Sequence, residues 1–499
     1  MEQNMSIDKF LCKSAQVLPN KVVIHYENEM ITYSQLDKEV NNLAQGLIDL
    51  GLKASDKVAV ILENCPDFVR IYFAILRAAG TVVPLNPLYK EDEIQYIIND
   101  ANIKLLVIDQ ELLPKINKIR AVISDLKIIV IGGTKEKNII PFADLLNKEA
   151  DPVEMNVEEN DLAACLYTSG TSGSPKGALF SHGNLMFLTK ACITRMDLRI
   201  EDYNLCVIPL SHIFSQLTNM LMPIFLGGNV TILPRFIPSA VLNEIAVKNI
   251  SFFCGAPAMY SSLLAVLSQD QNYNISSLRI CISGGAPLPL EVTKVFMEKY
   301  GITLTEGSGP TEAISCVGRP EANKPGSVGP VLEGVKIKIV NENDQEVPQG
   351  EIGELCVQGP SVMQGYLNLP EATAEALRGG WFYTGDLVKM DEDGYVFIIG
   401  RKKDMILVGG MSVYPSEIEQ CLSYHPLILE AAVIGIPDKD RGEIAKAFIV
   451  LKPGATAEPK EFILYCRKHL ANFKCPRQVV ILDSLPKSPI GKVDKKQLG

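Results

Sequence analysis

Histidine is scarce in this chain, and its cysteines never fall into the patterns that bind metal or close loops. Five histidines stand at 25, 182, 212, 425 and 469, too dispersed to read as a histidine-ligated site. The twelve cysteines include no C-x-x-C pair, so neither a zinc site nor a disulfide framework is indicated. Any metal here should be a hard ion held by carboxylate and phosphate oxygens. Positive charge is in the minority, 48 Lys and Arg against 58 Asp and Glu for a net −10, which turns the expectation away from nucleic acid or an anionic membrane as partner. The start, "MEQNMSIDKFLCKSAQ", lacks a basic stretch followed by an apolar one, so no secretory signal is expected and the cytoplasm is the expected location. Long apolar runs are missing too. The longest, 213–233, is broken by Gln216, Asn219, Pro223, Gly227 and Gly228, short of the ~20 apolar residues of a spanning helix, and reads as a core helix followed by a strand. Internal repeats and low-complexity segments are absent.

What is present begins with length. A chain of 499 residues exceeds the roughly 250–300 residues at which single cores stop growing, so two or more domains are expected. With 47% hydrophobic and 21% charged residues the composition is that of a globular protein. From about residue 160, strand-like runs ("LAACLYT", "NLCVIPL", "NVTIL", "ISFFCG", "LRICISGG") alternate with helical stretches. That order predicts mainly parallel α/β structure with ligands at the carboxyl ends of the strands. The loops 168–177, 209–215, 254–257, 283–287 and 306–312 would then converge on one site. Between 326 and 400 closely spaced strands predict a small β barrel or meander. The last hundred residues predict a compact α+β unit, giving domains of 1–400 and 401–499.

The stretch 166–184, "LYTSGTSGSPKGALFSHGN", sets four glycines, six serines and threonines and one lysine between apolar runs. It is not a Walker loop, because Lys176 lies between Pro175 and Gly177 rather than after a glycine. It still suits phosphate: Gly170 and Gly173 allow successive N–H groups to turn inward. Thr168, Ser169, Thr171 and Ser172 add hydroxyl donors, and Lys176 adds a point charge. A flexible linker of small residues is the competing reading of the stretch alone.

"YTSGTSGSPKG" resembles the signature of the adenylate-forming superfamily of acyl-CoA synthetases, luciferases and peptide-synthetase adenylation domains. The resemblance runs along nearly the whole chain, through "PLSH" (209–212), "SGGAPLP" (283–289), "GPTE" (309–312), "GELCVQGPSVMQGY" (353–366), "YTGD" (383–386), "GRKKDMI" (400–406) and "PKSPIGK" (486–492). It implies an AMP-forming acid–thiol ligase: a carboxylate attacks the α-phosphorus of ATP, pyrophosphate leaves, and a thiol attacks the resulting acyl-adenylate. ATP, Mg2+ and coenzyme A are the implied cofactors. Thr168 to Gly173 with Lys176 would grip the β and γ phosphates, and Glu312 with Thr168 would hold magnesium. Gly284, Gly285 and Ala286 would bring backbone close to adenine, with Gly307, Ser308 and Thr311 completing the nucleotide site. Asp386 would accept from the ribose hydroxyls beside Arg401. Lys492 would be the adenylation lysine, Lys403 the hinge of a rotating small domain, and Gly409 and Gly410 would line the path of the CoA arm.

One departure is visible. Ser308 stands where many relatives of this superfamily carry an aromatic ring that packs on adenine. For the acid, His212 would lie beside the acyl group, and the segments 212–220 and 252–260 offer apolar residues without a lysine or arginine to pair a second carboxylate. A fatty acid is therefore expected, with an aryl acid in a slot lined by Phe214 and Phe253 as the competitor. The expected partners are a small-molecule carboxylic acid, ATP and CoA. An acyl-carrier protein is kept as an alternative acceptor, and a second copy of the chain as a candidate partner.

Overall fold

The computed structural model describes residues 6–120, 123, 125–133, 136, 138–168, 175–269, 273–439, 441–487 and 493–499. Two eight-stranded sheets form its bulk. In the first, Gly365–Tyr366, Lys176–Ser181, Leu162–Thr168, Thr81–Pro84, Lys57–Ile61, Leu105–Asp109, Lys127–Ile131 and Ile139–Pro141 lie side by side. In the second the order is Cys316–Val317, Leu304–Ser308, Ile280–Gly284, Phe252–Gly255, Tyr203–Cys206, Asn229–Ile232, Val22–Tyr26 and Glu29–Thr32. Both are parallel through the middle, where near-continuous Val, Ile and Leu runs are buried on both faces; the second is antiparallel at both edges and the first at its Gly365–Tyr366 end only. The five apolar runs divide between the two sheets. Leu162–Thr168 belongs to the first sheet, where Ala164 pairs with Val82, while the other four strands belong to the second. Alternation of strand and helix predicts parallel pairing but does not say which sheet a strand joins.

The region 213–233 is helical over Ile213–Ser215, π-helical over Gln216–Leu221 and helical again over Met222–Leu226, then a strand at Asn229–Ile232. Pro223 is the second residue of the last helical segment, directly after the π-helical turn. Among the described residues no helix is long and apolar enough to cross a membrane.

Beyond residue 330 the chain builds an antiparallel five-stranded sheet from Lys336–Val340, Gly353–Gln358, Leu377–Arg378, Trp381–Met390 and Val396–Arg401. A second five-stranded sheet follows from Ile406–Val408, Met411–Val413, Ile428–Asp438, Gly442–Leu451 and Gln478–Leu482, with helices Pro415–Ser423 and Pro459–His469 packed on it. The main hydrophobic cluster ends at Val396, and the clusters that begin at Ile406 share no residue with it. All twelve cysteines are free thiols; ten are buried, and Cys12 and Cys65 are half-buried. Burial pushes Cys12 up to about 11 and Cys65, Cys165, Cys192, Cys206 and Cys281 up to about 12.

One ion-pair node fixes the amino-terminal helices. Arg70, on helix Pro66–Arg77, reaches Asp67 at 2.8 Å, Glu39 at 2.7 Å and Glu29 at 2.9 Å, tying its own helix to helix Tyr33–Asp49 and strand Glu29–Thr32. Arg70→Met removes the cation and leaves three carboxylates facing one another. We expect a destabilisation of about 3 kcal/mol, read as a lower urea midpoint; an unchanged midpoint would refute the node.

Candidate functional site

The hairpin Leu162–Thr168/Lys176–Ser181 is registered so that Thr168 lies opposite Lys176, which places both residues at the mouth of the loop between them. The opposite wall comes from the second sheet. After strand Leu304–Ser308 the chain turns through Gly309, whose φ is +158° and whose Cβ, if added, would lie 2.4 Å from the carbonyl oxygen of Ala313. Only glycine fits so tight a return. The turn delivers Glu312, which is buried, to the mouth of the hairpin. The Thr168 hydroxyl donates to Glu312 Oε1 at 3.3 Å, and the Tyr366 hydroxyl donates to the same oxygen at 3.0 Å. Lys176 Nζ stands 5.1 Å from the centre of the Tyr366 ring. Burial and the Glu312 carboxylate push the Tyr366 phenol upward, so it remains a donor at neutral pH.

Tyr366 is held by short-range geometry of its own. It pairs antiparallel with Ala178, its N–H donates to Thr373 Oγ1 at 2.9 Å, and the next N–H, of Leu367, donates to the Gly177 carbonyl at 2.8 Å. The motif that contains Tyr366 was legible in sequence, but the side chain's contact with Glu312 was not.

A second group of residues lies along the carboxyl ends of the second sheet. Gly284 pairs with Gly307 on neighbouring parallel strands, and the next residues, Gly285 and Ala286, are exposed, leaving backbone open to a ligand. Gly285 needs its φ of +90°. Ser308 and Thr311 are half-buried beside them. Behind this loop Glu306 is buried and its Oε2 accepts from the Leu288 N–H at 3.1 Å. Its carboxyl is pushed up from 4.5 to about 7, mainly by burial and against the pull of that N–H.

Asp386 lies directly opposite Arg401 on antiparallel strands, and Arg401 Nε donates to Asp386 Oδ1 at 2.6 Å. The bend between Tyr383 and Asp386 is fixed by Thr384, whose hydroxyl accepts from the Asp386 N–H at 3.0 Å and donates to the Leu355 carbonyl at 2.8 Å. Glu354, also unnoticed in the sequence, accepts from the Gly385 N–H at 3.2 Å and from Lys402 Nζ at 2.8 Å. Lys403, the expected hinge, is exposed in the turn Lys402–Asp404; its neighbour Lys402 makes the ion pair. Gly409 and Gly410, with φ of +57° and +81°, form the exposed turn between Ile406–Val408 and Met411–Val413, with nothing within 4 Å of an added Cβ. Ser169, Gly170, Thr171, Ser172, Gly173 and Lys492 lie outside the described residues.

Near His212 the surroundings are more polar than the sequence led us to expect. His212 caps the short helix that follows it, its Nδ1 accepting from the Phe214 N–H at 3.2 Å. Phe214 covers Gly284, where an added Cβ would sit 3.1 Å from the ring. Ile213 and Met220 are buried as expected. Gln216, Thr218 and Asn219 are buried with them, engaged by the Tyr72 hydroxyl, the Phe214 carbonyl and the Ser215 hydroxyl respectively. A slot lined by Phe214 and Phe253 does not form. Successive residues of a strand face opposite sides, and Phe252 takes the face shared with Phe214, while Phe253 packs against Tyr260 on the other.

As for a metal, the Glu312 carboxylate and the Thr168 hydroxyl are oxygen donors beside a lysine, a set that fits a hard cation completed by phosphate oxygens. Among the described residues no group of three or more His, Cys, Asp or Glu side chains gathers into a cage.

Residues 11–367 match the family model for AMP-binding enzymes, and residues 417–492 match the model for the carboxyl-terminal domain of those enzymes. The chain is 35% identical to a long-chain-fatty-acid–CoA ligase of Bacillus subtilis over 99% of its own length and 94% of that protein's. It is 31% identical to a feruloyl-CoA synthase of Amycolatopsis over 99% of both. Among solved structures, an anthranilate CoA ligase in complex with anthranoyl-AMP superposes with a TM-score of 0.93 at 30% identity, covering 100% of this chain and 97% of the other.

The Glu306 carboxyl carries a testable sign. Because its folded value lies above its unfolded one, the native state keeps a proton that the unfolded chain releases, so its stabilising contribution is present below about pH 4.5 and lost as the pH rises through about 7. Glu306→Gln, which keeps the acceptor and cannot ionise, should melt at a higher temperature than wild type at pH 8, by a margin that closes towards pH 4.5. A margin independent of pH would contradict the assignment.

Proposed function

The chain belongs to the AMP-binding enzyme family and is an AMP-forming acid–thiol ligase; we propose that its acid is a medium- or long-chain fatty acid and its thiol that of coenzyme A. The observation that carries the adenylation half of this reading is the meeting of Thr168, Lys176 and Glu312 at the mouth of one hairpin. There Lys176 and the loop beyond Thr168 hold the terminal phosphates of ATP. Glu312 and Thr168 hold Mg2+, which when bound neutralises phosphate charge. Asp386 takes the ribose hydroxyls, with Arg401 fixing the orientation of its carboxylate. The exposed backbone at Gly285 and Ala286 receives the base, with Gly307, Ser308 and Thr311 beside it.

Lys492 supplies positive charge where the carboxylate oxygen meets the α-phosphorus; a preorganised charge of this kind contributes on the order of 3–4 kcal/mol. The gap between the cores ending at Val396 and beginning at Ile406 supports a boundary at 400/401, with Lys403 as the pivot. Rotation there would withdraw Lys492 and carry Gly409 and Gly410 to the path of the CoA thiol, a gating step of the kind that often limits turnover. The protein works in the cytoplasm on this reading.

Fatty acid is favoured over aryl acid because Phe214 and Phe253 occupy opposite faces of their sheet and so cannot clamp a flat ring, while Ile213, Met220 and Phe252 lend apolar surface to the face of Phe214. His212, with its Nδ1 engaged in the cap, positions the acyl carboxylate through its ring edge.

Two measurements test this. Lys492→Ala should lower carboxylate-dependent pyrophosphate release by about 100-fold or more and spare thioesterification of supplied acyl-AMP; equal losses in both half-reactions would sink the assignment. Across saturated acids, efficiency should climb from four to eight carbons, each buried methylene contributing about 0.8 kcal/mol. A best substrate with an aromatic ring, or a flat series, would overturn the fatty-acid reading and leave the adenylation chemistry standing. A holo-carrier protein outperforming free CoA as acceptor would overturn the choice of thiol.

A further inference from the structure

The Glu312 carboxylate is held by hydroxyls from two distant parts of the chain, and one of them has no part in the phosphate loop, the nucleoside site or the acid site. Tyr366 sits 54 residues beyond Glu312, on a two-residue strand at the edge of the first sheet. Its hydroxyl donates to Glu312 Oε1 at 3.0 Å while its ring lies 5.1 Å from Lys176 Nζ. One side chain therefore touches both the carboxylate and the cation that flank the mouth of the hairpin. Its backbone is fixed independently, through the Ala178 pairing, the Thr373 hydroxyl and the Leu367 bond to Gly177.

We infer that Tyr366 is a positioning residue for the metal–nucleotide complex, orienting the Glu312 carboxylate with its hydroxyl and Lys176 with its ring face. This rests on Glu312 and Lys176 facing a magnesium–ATP complex as proposed above. A carboxylate has two oxygens and rotates freely in water. A phenol donor on Oε1 selects one rotamer, in which Oε2 would be the oxygen left for an ion. The Thr168 hydroxyl reaches the same oxygen, so two donors on Oε1 restrain the group from two sides. Partners of this kind, which orient a ligand without touching the metal, change metal affinity or activity by about 10–100-fold when removed. The ring acts separately. A cation over the face of an aromatic group is restrained by the ring quadrupole, which keeps the long Lys176 side chain on the loop side of Glu312.

The two functions separate by substitution. Tyr366→Phe removes the hydroxyl and keeps the ring; Tyr366→Leu removes both. In pyrophosphate release, Tyr366→Phe should raise the Mg2+ concentration at half-maximal rate about 10–100-fold while the rate at saturating Mg2+ approaches that of wild type. Calorimetric binding of a nonhydrolysable ATP analogue should show the same shift in Mg2+ dependence without turnover. Tyr366→Leu should add a rise in KM for ATP. Thioesterification of supplied acyl-AMP should be unchanged in both variants, since no pyrophosphate-bearing complex is then needed. A folded Tyr366→Phe with the wild-type Mg2+ midpoint in rate and in binding would overturn the inference, as would equal losses in the two half-reactions. A wild-type protein without carboxylate-dependent pyrophosphate release would instead overturn the functional reading on which the inference stands.

Discussion

A single carboxylate oxygen, Glu312 Oε1, receives hydroxyl donors from Thr168 and Tyr366, and this junction joins the two eight-stranded sheets at the functional site. Thr168 and Tyr366 both lie on the first sheet, whereas Glu312 lies in the connection between Leu304–Ser308 and the edge strand Cys316–Val317 of the second. Elsewhere the sheets meet mostly through apolar side chains of one continuous cluster, which sets their distance but is tolerant of small sliding movements, with Asn64 bonding Ile208 and Leu210 across the same boundary. A buried acceptor with two directional donors is less tolerant, because hydrogen bonds to charged groups contribute about 1.5–3 kcal/mol and weaken steeply with misalignment. At the functional site, the nucleoside-side and phosphate-side loops are thus brought into register at the Glu312 carboxylate.

The local pieces of this arrangement were legible in sequence wherever backbone geometry dictates residue type. Gly309, Gly285 and the pair Gly409 and Gly410 occupy conformations with positive φ, and the apolar runs around them became strands with boundaries close to those expected. The α/β class, the barrel-like segment and the terminal α+β unit followed from the same punctuation. Sheet membership did not, since Leu162–Thr168 reads like its four neighbours and differs only in its partner. Side-chain contacts between remote segments were equally hidden: Thr168 and Glu312 are 144 positions apart, and nothing in the composition of either motif names the other. Alternation along "FFCG" requires Phe252 and Phe253 to face opposite sides, yet only the packed structure says which of them shares a face with Phe214.

The ribose-side turn shows how a buried acid can link two features that sequence reading kept separate. Glu354 holds the Gly385 N–H with one oxygen and Lys402 with the other. The residue before Asp386 and the residue after Arg401 are therefore tied to the same side chain, and the Asp386–Arg401 pair lies between them on adjacent strands. Lys403 in this turn is exposed, while the ordering ion pair belongs to its neighbour Lys402. Adjacent lysines are indistinguishable by composition; they differ here because the Lys402 side chain reaches Glu354 across the strand pair.

The twelve free thiols have a consequence for anyone watching this protein at work. Their burial raises every one of them above the ordinary thiol range, and a thiol reacts as its thiolate. The folded protein is thus a quiet background for colorimetric disulfide reagents, against which the disappearance of a small-molecule thiol can be followed continuously. The same reagent becomes a stopwatch for unfolding, because each molecule that opens releases twelve sulfurs into the colour at once.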